Sequence, residues 1–258
     1  MSAALLDVRG LTVEYAARNG ARTRAVDDVT LTLQRGETLA LVGESGSGKS
    51  SLGRAVLRLG PITAGRVEFD GHDVRAMSAE ALRGFRRRAQ IVLQDPKSSL
   101  NPRLRVGDIV REGMDVHALA PRHEATQRVA RLLEEVGLAA GDADRLPHEF
   151  SGGERQRIAI ARALAVEPEF VVLDEAVSAL DVLVRTQVLD LLARLQQTRA
   201  LTYLFIAHDL AVVQRIATRV AVMQHGRIVD CAPTGQLFSA PAADATRALL
   251  AAIPRIPW

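Results

Sequence analysis

Hydrophobic and polar positions along the chain follow three different patterns. Near the N-terminus, residues 5–16 and 29–33 alternate between apolar and polar side chains, as strands with one buried face do. Between about residues 101 and 166, and again after Asp181, apolar residues recur at helical spacing. Other short runs are almost continuously apolar, which is typical of buried parallel strands. These runs are 38–42, 90–94, 170–175 and 201–208. The pattern predicts an α/β chain with an antiparallel N-terminal piece and a mostly helical insertion.

Glycine and asparagine mark the ends of several predicted elements. Gly137 follows a helical pattern and is expected to end that helix. His225 and Gly226 separate two apolar stretches, so we expect them to join two strands. Asn19 and Gly20 predict a turn inside a polar segment that follows the first strand.

Composition and charge narrow the class of protein. The 258 residues are 48% hydrophobic and 24% charged, as in globular proteins, and the formal net charge is only +3. The arginines are scattered, so we expect no nucleic acid partner. The single cysteine, Cys231, excludes an internal disulfide, and the first ten residues lack the apolar core of a signal peptide. No apolar run approaches the roughly 20 residues that cross a bilayer. We therefore expect an intracellular protein that reaches a membrane only through partners.

A glycine-rich loop follows the apolar run 38–42 and leads into a predicted helix. Gly43, Gly48, Lys49 and Ser50 match the phosphate-loop pattern G-x-x-x-x-G-K-[ST]. Such a loop turns backbone N–H groups toward phosphates, and the helix N-terminus adds partial positive charge there. Lys49 is expected to reach the β- and γ-phosphates, and the Ser50 hydroxyl to ligate Mg²⁺. The alternative, an ordinary Gly/Ser turn, is disfavoured by the strand–loop–helix context. We expect ATP to contact the whole loop, which comprises Gly43, Glu44, Ser45, Gly46, Ser47, Gly48, Lys49, Ser50 and Ser51.

Two carboxylates end the apolar run 170–175. A carboxylate at the end of a buried strand lies beside the ligand in an open α/β sheet. Asp174 is expected to hold the metal, through water, and Glu175 to be the base that polarises the attacking water. A solvated acidic turn would be a serious alternative in isolation, but a phosphate loop requires a carboxylate of this kind.

These motifs, in this order, resemble the nucleotide-binding subunit of ABC transporters, and the resemblance covers nearly the whole chain. "FSGGE", residues 150–154, resembles the family signature and lies between the phosphate loop and the strand that ends in Asp174 and Glu175. The resemblance implies further roles. Gln94 in "VLQDP" matches the Q-loop, with a part in metal binding and catalysis, and His208 in "LFIAHDL" matches the switch histidine. Asp181 in "SALD" matches the D-loop near the nucleotide, and Tyr15 is placed like the aromatic that stacks on adenine.

The resemblance also implies the fold and its divisions. We expect a P-loop NTPase (RecA-like) core with an antiparallel β subdomain and a helical insertion subdomain, all in one nucleotide-binding domain spanning residues 1–258. The core and antiparallel part would occupy about 1–94 and 166–235, and the helical insertion about 95–165. A C-terminal tail would cover about 236–258.

The signature stretch is expected to form a second anion site. Ser151, Gly152 and Gly153 begin a predicted helix, whose N–H groups and positive end would face outward. The resemblance implies that they cap the γ-phosphate of an ATP held by a facing subunit, so that two ATPs lie between two head-to-tail cassettes. Phe150 replaces the usual leucine and stays apolar. Glu154 replaces glutamine; it is counted among the ATP-binding residues, and its direct contact with phosphate is the open point.

A narrower resemblance indicates the transport system. Segments 94–110, 147–164 and 174–192 resemble the ATPases of the dipeptide/oligopeptide/nickel uptake group. That group implies an importer ATPase at the cytoplasmic face of the cell membrane, bound peripherally to two transmembrane permeases and indirectly served by an extracytoplasmic solute-binding protein. A second ABC ATPase subunit would complete it; a different chain is favoured, and an identical one stays open. With one cysteine, no iron–sulfur extension is expected.

Two other functions are alternatives for a chain with these motifs. A soluble ABC ATPase acting on nucleic acid or ribosomes would usually carry a long coiled coil or two cassettes in one chain, and neither is present. A catalytically silent, regulatory cassette is disfavoured because Lys49, Asp174, Glu175 and His208 are intact.

Overall fold

The structure, a computed structural model, describes residues 4–16 and 22–251. Its strands are β1 (Leu6–Ala16), β2 (Arg22–Leu33), β3 (Thr38–Val42), β4 (Ala64–Phe69), β5 (His72–Asp73), β6 (Ala89–Val92), β7 (Phe170–Asp174), β8 (Thr202–Ala207), β9 (Arg219–Gln224) and β10 (Arg227–Pro233). Its α-helices are α1 (Lys49–Val56), α2 (Ala79–Arg88), α3 (Pro96–Ser99), α4 (Val106–Val116), α5 (Arg122–Glu135), α6 (Gly152–Leu164), α7 (Val182–Arg199), α8 (Leu210–Ile216), α9 (Thr234–Ser239) and α10 (Asp244–Ala251). Across these described ranges, no helix is both long enough and apolar enough to span a membrane.

The described residues form two compact units. The first combines residues up to 82 with those from 202 onward, and the second comprises residues 83–201. The predicted helical insertion, residues 95–165, lies inside the second unit and supplies α3 to α6. The predicted domain boundaries remain a prediction.

The first unit contains two kinds of strand arrangement. An antiparallel sheet has the order β2-β1-β4-β5. In the other, β3 pairs in parallel with both β8 and β9, and β10 continues antiparallel to β9. All residues of β3 and β8 are buried, which explains their continuously apolar sequences. This parallel arrangement carries the phosphate loop at its carboxyl end.

A β-bulge interrupts the alternation of β1. The apolar residues Val8 and Leu11 are three positions apart, yet both are fully buried. The pairing register with β2 shifts between these two residues, and Gly10 adopts a positive φ of 58° there. The extra residue allows both side chains to face the same core, as a bulge with glycine in the left-handed region does.

The segment before β2 differs in part from its prediction as a polar turn. Asn19 and Gly20 lie outside the described residues, so that turn stays a prediction. Arg22 to Arg24, in contrast, are the first residues of β2 and pair with β1. Arg24 Nε also donates to Glu14 Oε1 at 3.0 Å across the strands. Backbone pairing and this ion pair extend the strand into a polar sequence.

The predicted turn at His225 and Gly226 connects β9 and β10 as a hairpin. Both residues have positive φ, 47° and 82°. A two-residue loop with this geometry matches the right-handed twist of the flanking strands. Gly226 N also donates to Ser47 O at 3.0 Å, so the hairpin supports the phosphate loop.

The C-terminal helix of the described chain is fastened to β10 by one carboxylate. Asp230 Oδ2 accepts from the hydroxyl of the fully buried Thr246 at 2.8 Å, and from the N–H groups of Ala242 and Ala243 at 3.1 and 3.2 Å. Two backbone N–H groups and one side-chain hydroxyl therefore supply the donors that hold this helix against β10.

The second unit contains α-helices and a parallel strand pair, in which β6 contacts α6. Strands β6 and β7 pair with Val92 opposite Leu173. Helix α5 ends as predicted at Gly137, which has φ +81°. Gly137 N donates to Glu134 O at 2.9 Å, and Leu138 N donates to Leu133 O at 2.8 Å. This is the Schellman arrangement, in which a left-handed residue satisfies the last carbonyls of a helix.

Candidate active site

The phosphate loop connects β3 to α1 within the first unit. Two of its glycines are required by contacts with the chain's own backbone. A Cβ at Gly43 would lie 2.1 Å from the carbonyl oxygen of Met223, and a Cβ at Gly48 would lie 2.0 Å from that of Ala25. Both also have positive φ, 151° and 106°. Gly46 differs, because nothing lies within 4 Å of the position of its Cβ. The outward side of the loop is therefore free of side-chain obstruction at Gly46.

The Lys49 side chain folds into this loop. Its Nζ donates to Gly43 O at 2.9 Å and to Glu44 O at 2.8 Å, and it lies 3.4 Å from Ser47 Oγ. Only 5% of Lys49 is exposed. A buried ammonium group surrounded by loop oxygens places a positive charge at the centre of the loop, where phosphates bind in loops of this pattern. Ser50 and Ser51 follow in the first turn of α1 and are half-buried.

Strand register brings His208 to the same edge as the phosphate loop. Val42 pairs with Ala207 in the parallel ladder. Gly43 and His208 are the next residues of these two strands, so they leave the sheet side by side. His208 is exposed and precedes Asp209, whose carboxylate caps α8 by accepting from Ala211 N at 2.9 Å. Within the first unit, the structure thus joins two motifs that are 165 positions apart in the sequence.

Tyr15 lies one position before the end of β1. It is 38% exposed, and its hydroxyl approaches Gly60, 3.5 Å from where a Cβ would stand. Tyr15 is therefore partly open to solvent in the first unit. Its stacking on adenine remains a prediction.

Three of the predicted catalytic and metal residues lie at the carboxyl edge of one strand pair in the second unit. Because Val92 pairs with Leu173, Asp174 ends β7 and Gln94 comes two residues after the end of β6 at the same edge. Asp174 is buried, and Gln94 is exposed. Glu175 is half-buried and has φ +50°, which is uncommon for a residue with a side chain. Its carbonyl oxygen accepts from Ser178 N at 3.0 Å and from Ser178 Oγ at 2.9 Å, so a tight turn fixes this backbone.

The signature helix begins as the sequence predicts. Ser151 is the N-cap of α6, and its Oγ accepts from Glu154 N at 3.3 Å. In return, Ser151 N donates to Glu154 Oε2 at 2.8 Å. This reciprocal pair is a capping box. The hydrogen bonds from Ser151 lower the pKa of the Glu154 carboxyl below its ordinary value, so the group is ionised at neutral pH. Phe150 is buried, as an apolar replacement for leucine requires.

Asp181 caps the next helix of the second unit. Its Oδ1 accepts from Val184 N at 2.9 Å at the start of α7. The predicted D-loop aspartate thus has a structural partner, and its role near the nucleotide remains a prediction.

Among the described residues, no cluster of three or more His, Cys, Asp or Glu side chains could hold a metal by itself. The predicted Mg²⁺ donors are the Ser50 hydroxyl, a carboxylate oxygen of Asp174 and the amide oxygen of Gln94. Mg²⁺ typically takes one or two carboxylates together with phosphates and water.

The sequence profile of the ABC transporter family matches residues 26–178 of the chain. This match covers more than half of the chain and contains the phosphate loop, the signature and the two carboxylates that follow β7. The chain belongs to the ABC transporter family. It is an ABC ATPase, which binds and hydrolyses ATP.

Two relatives and one solved structure place this ABC ATPase more closely. The chain is 49% identical over 256 residues to the oligopeptide transport ATP-binding protein OppF of Bacillus subtilis, covering 98% of the chain and 84% of the relative. It is 50% identical over 250 residues to a putative peptide import ATP-binding protein of Brucella ovis, with coverages of 97% and 78%. It also resembles a dimeric, post-hydrolysis structure of the ATP-binding cassette MJ0796 bound to ADP and Pi, with TM-score 0.80, 26% identity and coverages of 89% and 98%. The predicted α/β P-loop NTPase fold is confirmed.

Sequence reasoning about this ABC ATPase missed the residues that support its motifs. Met223 and Ala25 form the wall against which the phosphate-loop glycines pack, and Val184 contacts Gly153 of the signature. No short motif contains these residues, because they approach the motifs only in three dimensions. The only local signal was Asp181, a favoured N-cap residue three positions before Val184.

The capping box predicts a pH-dependent stability difference between two variants. The pKa of Glu154 is lowered on folding, so the carboxylate stabilises the fold above its ordinary pKa of 4.5 and loses that contribution as pH falls through the folded value. Glu154→Ala is expected to lower the free energy of unfolding at pH 7 by about 0.3–1 kcal/mol, allowing for solvent screening. Glu154→Gln keeps the box and is expected to match the native chain at pH 7.

Urea unfolding of the three proteins between pH 7 and pH 3 measures this difference. The gap between the native chain and Glu154→Ala should close toward low pH, while Glu154→Gln should become the most stable of the three. Equal stability of all three at pH 7 would show that the capping box contributes nothing measurable.

Proposed function

We propose that this chain is the ATP-hydrolysing subunit of an ABC importer that takes up peptides, or a related small solute such as a nickel complex. The observation that carries the proposal is the identity of 49–50% with peptide-import ATP-binding proteins over 97–98% of the chain. A soluble ABC ATPase acting on nucleic acid or ribosomes remains the alternative. The names of the two relatives given above refer to oligopeptide transport and peptide import, not to nucleic acid or ribosomes.

The phosphate loop, Gly43 to Ser51, is proposed to bind the phosphates of ATP. Lys49 would turn its Nζ from the carbonyls of Gly43 and Glu44 toward the β- and γ-phosphates. Its burial supports this role, because a buried ammonium group would exchange one set of oxygen acceptors for another. Tyr15, with its partly exposed ring, is proposed to stack on adenine. Mg²⁺, held by the Ser50 hydroxyl, Gln94 and Asp174, would neutralise charge on the phosphate oxygens.

Hydrolysis is proposed to depend on Glu175 and His208. Glu175 would accept a hydrogen bond from the attacking water and take its proton as the water oxygen bonds to the γ-phosphorus and the bond to the β-phosphate oxygen breaks. The turn that fixes its backbone supports a preset position for the carboxylate. His208 would donate to a γ-phosphate oxygen, and its position beside Gly43 at the sheet edge supports this assignment. Gln94 would sense the nucleotide from the end of β6.

A second cassette is proposed to complete the site. Ser151, Gly152, Gly153 and Glu154 begin a helix whose N-terminus would cap an ATP held by the facing subunit, with Asp181 near the same interface. The solved relative MJ0796 is dimeric in its ADP- and Pi-bound state, which supports a pair of cassettes. We favour a different ATPase chain as the partner over an identical one. The pair would bind two transmembrane permeases at the cytoplasmic face of the membrane and be served indirectly by an extracytoplasmic solute-binding protein.

Purification of the assembled complex tests this function. The tagged chain is expected to retain two polytopic membrane proteins in detergent, and peptide-loaded binding protein should stimulate ATP hydrolysis by the reconstituted complex. Co-sedimentation with ribosomes or RNA, without membrane proteins, would instead support the alternative.

Lys49→Ala is expected to weaken ATP binding by the chain about 10–100-fold, which corresponds to the loss of charge-assisted hydrogen bonds. A fluorescent ATP analogue titrated against the purified chain measures this change. Arg54→Ala is a matched control, because Arg54 is exposed on the same helix. Circular dichroism should be unchanged for both variants. A folded Lys49→Ala chain with native affinity and native ATPase activity would contradict the phosphate-loop assignment.

A further inference from the structure

The two signature glycines face different surroundings. Nothing lies within 4 Å of the place where a Cβ at Gly152 would stand. A Cβ at Gly153 would lie 2.3 Å from Val184 Cγ1, and 3.6 and 3.8 Å from Val184 Cβ and Cγ2. Gly152 is exposed, whereas Gly153 is buried. The neighbouring glycines therefore have different reasons to lack a side chain.

The contact between Gly153 and Val184 joins the first turns of two helices in the second unit. Gly153 is the second residue of α6, which Ser151 caps. Val184 is the third residue of α7, and Asp181 caps it by accepting from Val184 N at 2.9 Å. Each helix start is therefore fixed by its own cap in addition to the contact between the two helices.

Val184 has little freedom to move away from the signature helix. A β-branched valine in a helix strongly prefers one χ1 rotamer, and its backbone is held by the Asp181 cap. One turn further along, Arg157 lies within 3.5 Å of Gln187 Oε1 and donates to Val136 O at 2.6 Å. A side chain at position 153 would therefore have to displace the start of α6 relative to α7.

We propose that Val184 is a positioning residue for the signature. It sits directly on Gly153 and sets where the outward-facing first turn of α6 lies relative to Asp181. Gly153 is required by this contact within the chain, and of the two glycines only Gly152 leaves open surface toward a facing ATP. The consequence for catalysis rests on the proposed function; the packing itself does not.

A double-mutant cycle in the full chain tests the contact. Gly153→Ala is expected to lower the unfolding temperature by on the order of 2–10 °C, as overpacking of a fixed contact does. Val184→Ala removes both Cγ atoms and leaves Cβ at an ordinary contact distance of 3.6 Å. The double variant Gly153→Ala/Val184→Ala is therefore expected to recover most of the loss. Val182→Ala is the matched control, because Val182 is 77% exposed on the same turn and should not rescue Gly153→Ala.

The assembled complex supplies the functional readout. Gly153→Ala is expected to lower ATP turnover about 10–100-fold, since a displacement near 1 Å costs this much in positioned sites, and Val184→Ala should restore it. Gly152→Ala should keep the native unfolding temperature and still weaken ATP-driven pairing of the cassettes. If the native complex hydrolyses no ATP, the proposed function fails while the unfolding cycle still decides the packing.

Three outcomes would overturn the proposal if all the variants fold. Gly153→Ala could match the native chain in unfolding temperature and turnover. Val184→Ala could fail to restore either quantity, which would show that Gly153 is needed for something other than this contact. Val182→Ala could rescue as well as Val184→Ala does. If Gly153→Ala alone does not fold, recovery of a folded double variant supports the proposal and its failure to fold contradicts it.

Discussion

Replacing Glu175 by glutamine is expected to leave ATP binding intact and to lower ATP hydrolysis at this chain's own nucleotide by about 10²–10⁴-fold. Glutamine has nearly the same shape but cannot take the proton of the attacking water. The backbone of residue 175 is fixed by the hydrogen bonds from Ser178, so the amide should occupy the place of the carboxylate. Cassettes with this change should accumulate in the ATP-bound state.

The measurement is ATP turnover in the assembled transporter, resolved by site with a photoreactive ATP analogue that labels each cassette separately. Glu169→Gln is a matched control, because Glu169 precedes the opposite end of the same strand, β7, and pairs with Arg88 at 2.6 Å. It removes one carboxylate without approaching the carboxyl edge of the strand. Near-native turnover by Glu175→Gln would remove this residue from the role of base.

Ser151→Arg is expected to stop hydrolysis of the ATP held by the facing cassette while leaving ATP binding by this chain nearly unchanged. Ser151 is exposed at the start of α6, and the place beside it at Gly152 is open. A bulky side chain there would occupy the space that a phosphate oxygen needs, and the phosphate loop itself is untouched. ATP-driven pairing and transport should fail together.

Two further variants separate this effect from a loss of stability. Ser151→Asp keeps a good N-cap and brings a negative charge toward the phosphate, so it should fold normally and still prevent pairing. Ser239→Arg adds the same side chain at another exposed serine and should leave pairing intact. If trapped nucleotide disappears only from this chain's own phosphate loop, the signature does not act across the interface. If Ser151→Asp pairs normally, the stretch is a helix cap and nothing more.

Strand and helix patterns in the sequence located most of the elements that carry the site. The predicted strand 38–42 coincides with β3, and the predicted strand 170–175 is one residue longer than β7. These strands are buried along their whole length, so their apolar runs depend little on the rest of the fold. Helix α2 was not predicted, because only Phe85 is buried along it and arginines end it. Polar helices of this kind leave no apolar stripe to detect.

The motifs of the candidate site could likewise be predicted from the sequence, whereas the residues that contact these motifs in the fold could not. The spacing of Gly43, Gly48 and Lys49 predicted a phosphate loop, and Ser151 was predicted to begin a helix. Serine followed by glutamate at this spacing is the capping-box pattern, so the sequence also contained a signal, not used in the prediction, that the Glu154 carboxylate would accept from Ser151 N. It gave no reason to connect Val184 with Gly153.

By itself, then, the sequence determined the family and the α/β class, and it predicted the residues proposed to bind and hydrolyse ATP, because each depends on short motifs whose spacing is local. Only the tertiary structure decided what each glycine is for. Gly43 and Gly48 press against the carbonyls of Met223 and Ala25, Gly153 presses against Val184, and Gly46 and Gly152 face open space. The physical reason is that a glycine in a sequence does not show why a side chain is absent. That depends on which atom lies where the Cβ would be, and at Gly43, Gly48 and Gly153 that atom belongs to a distant part of the chain.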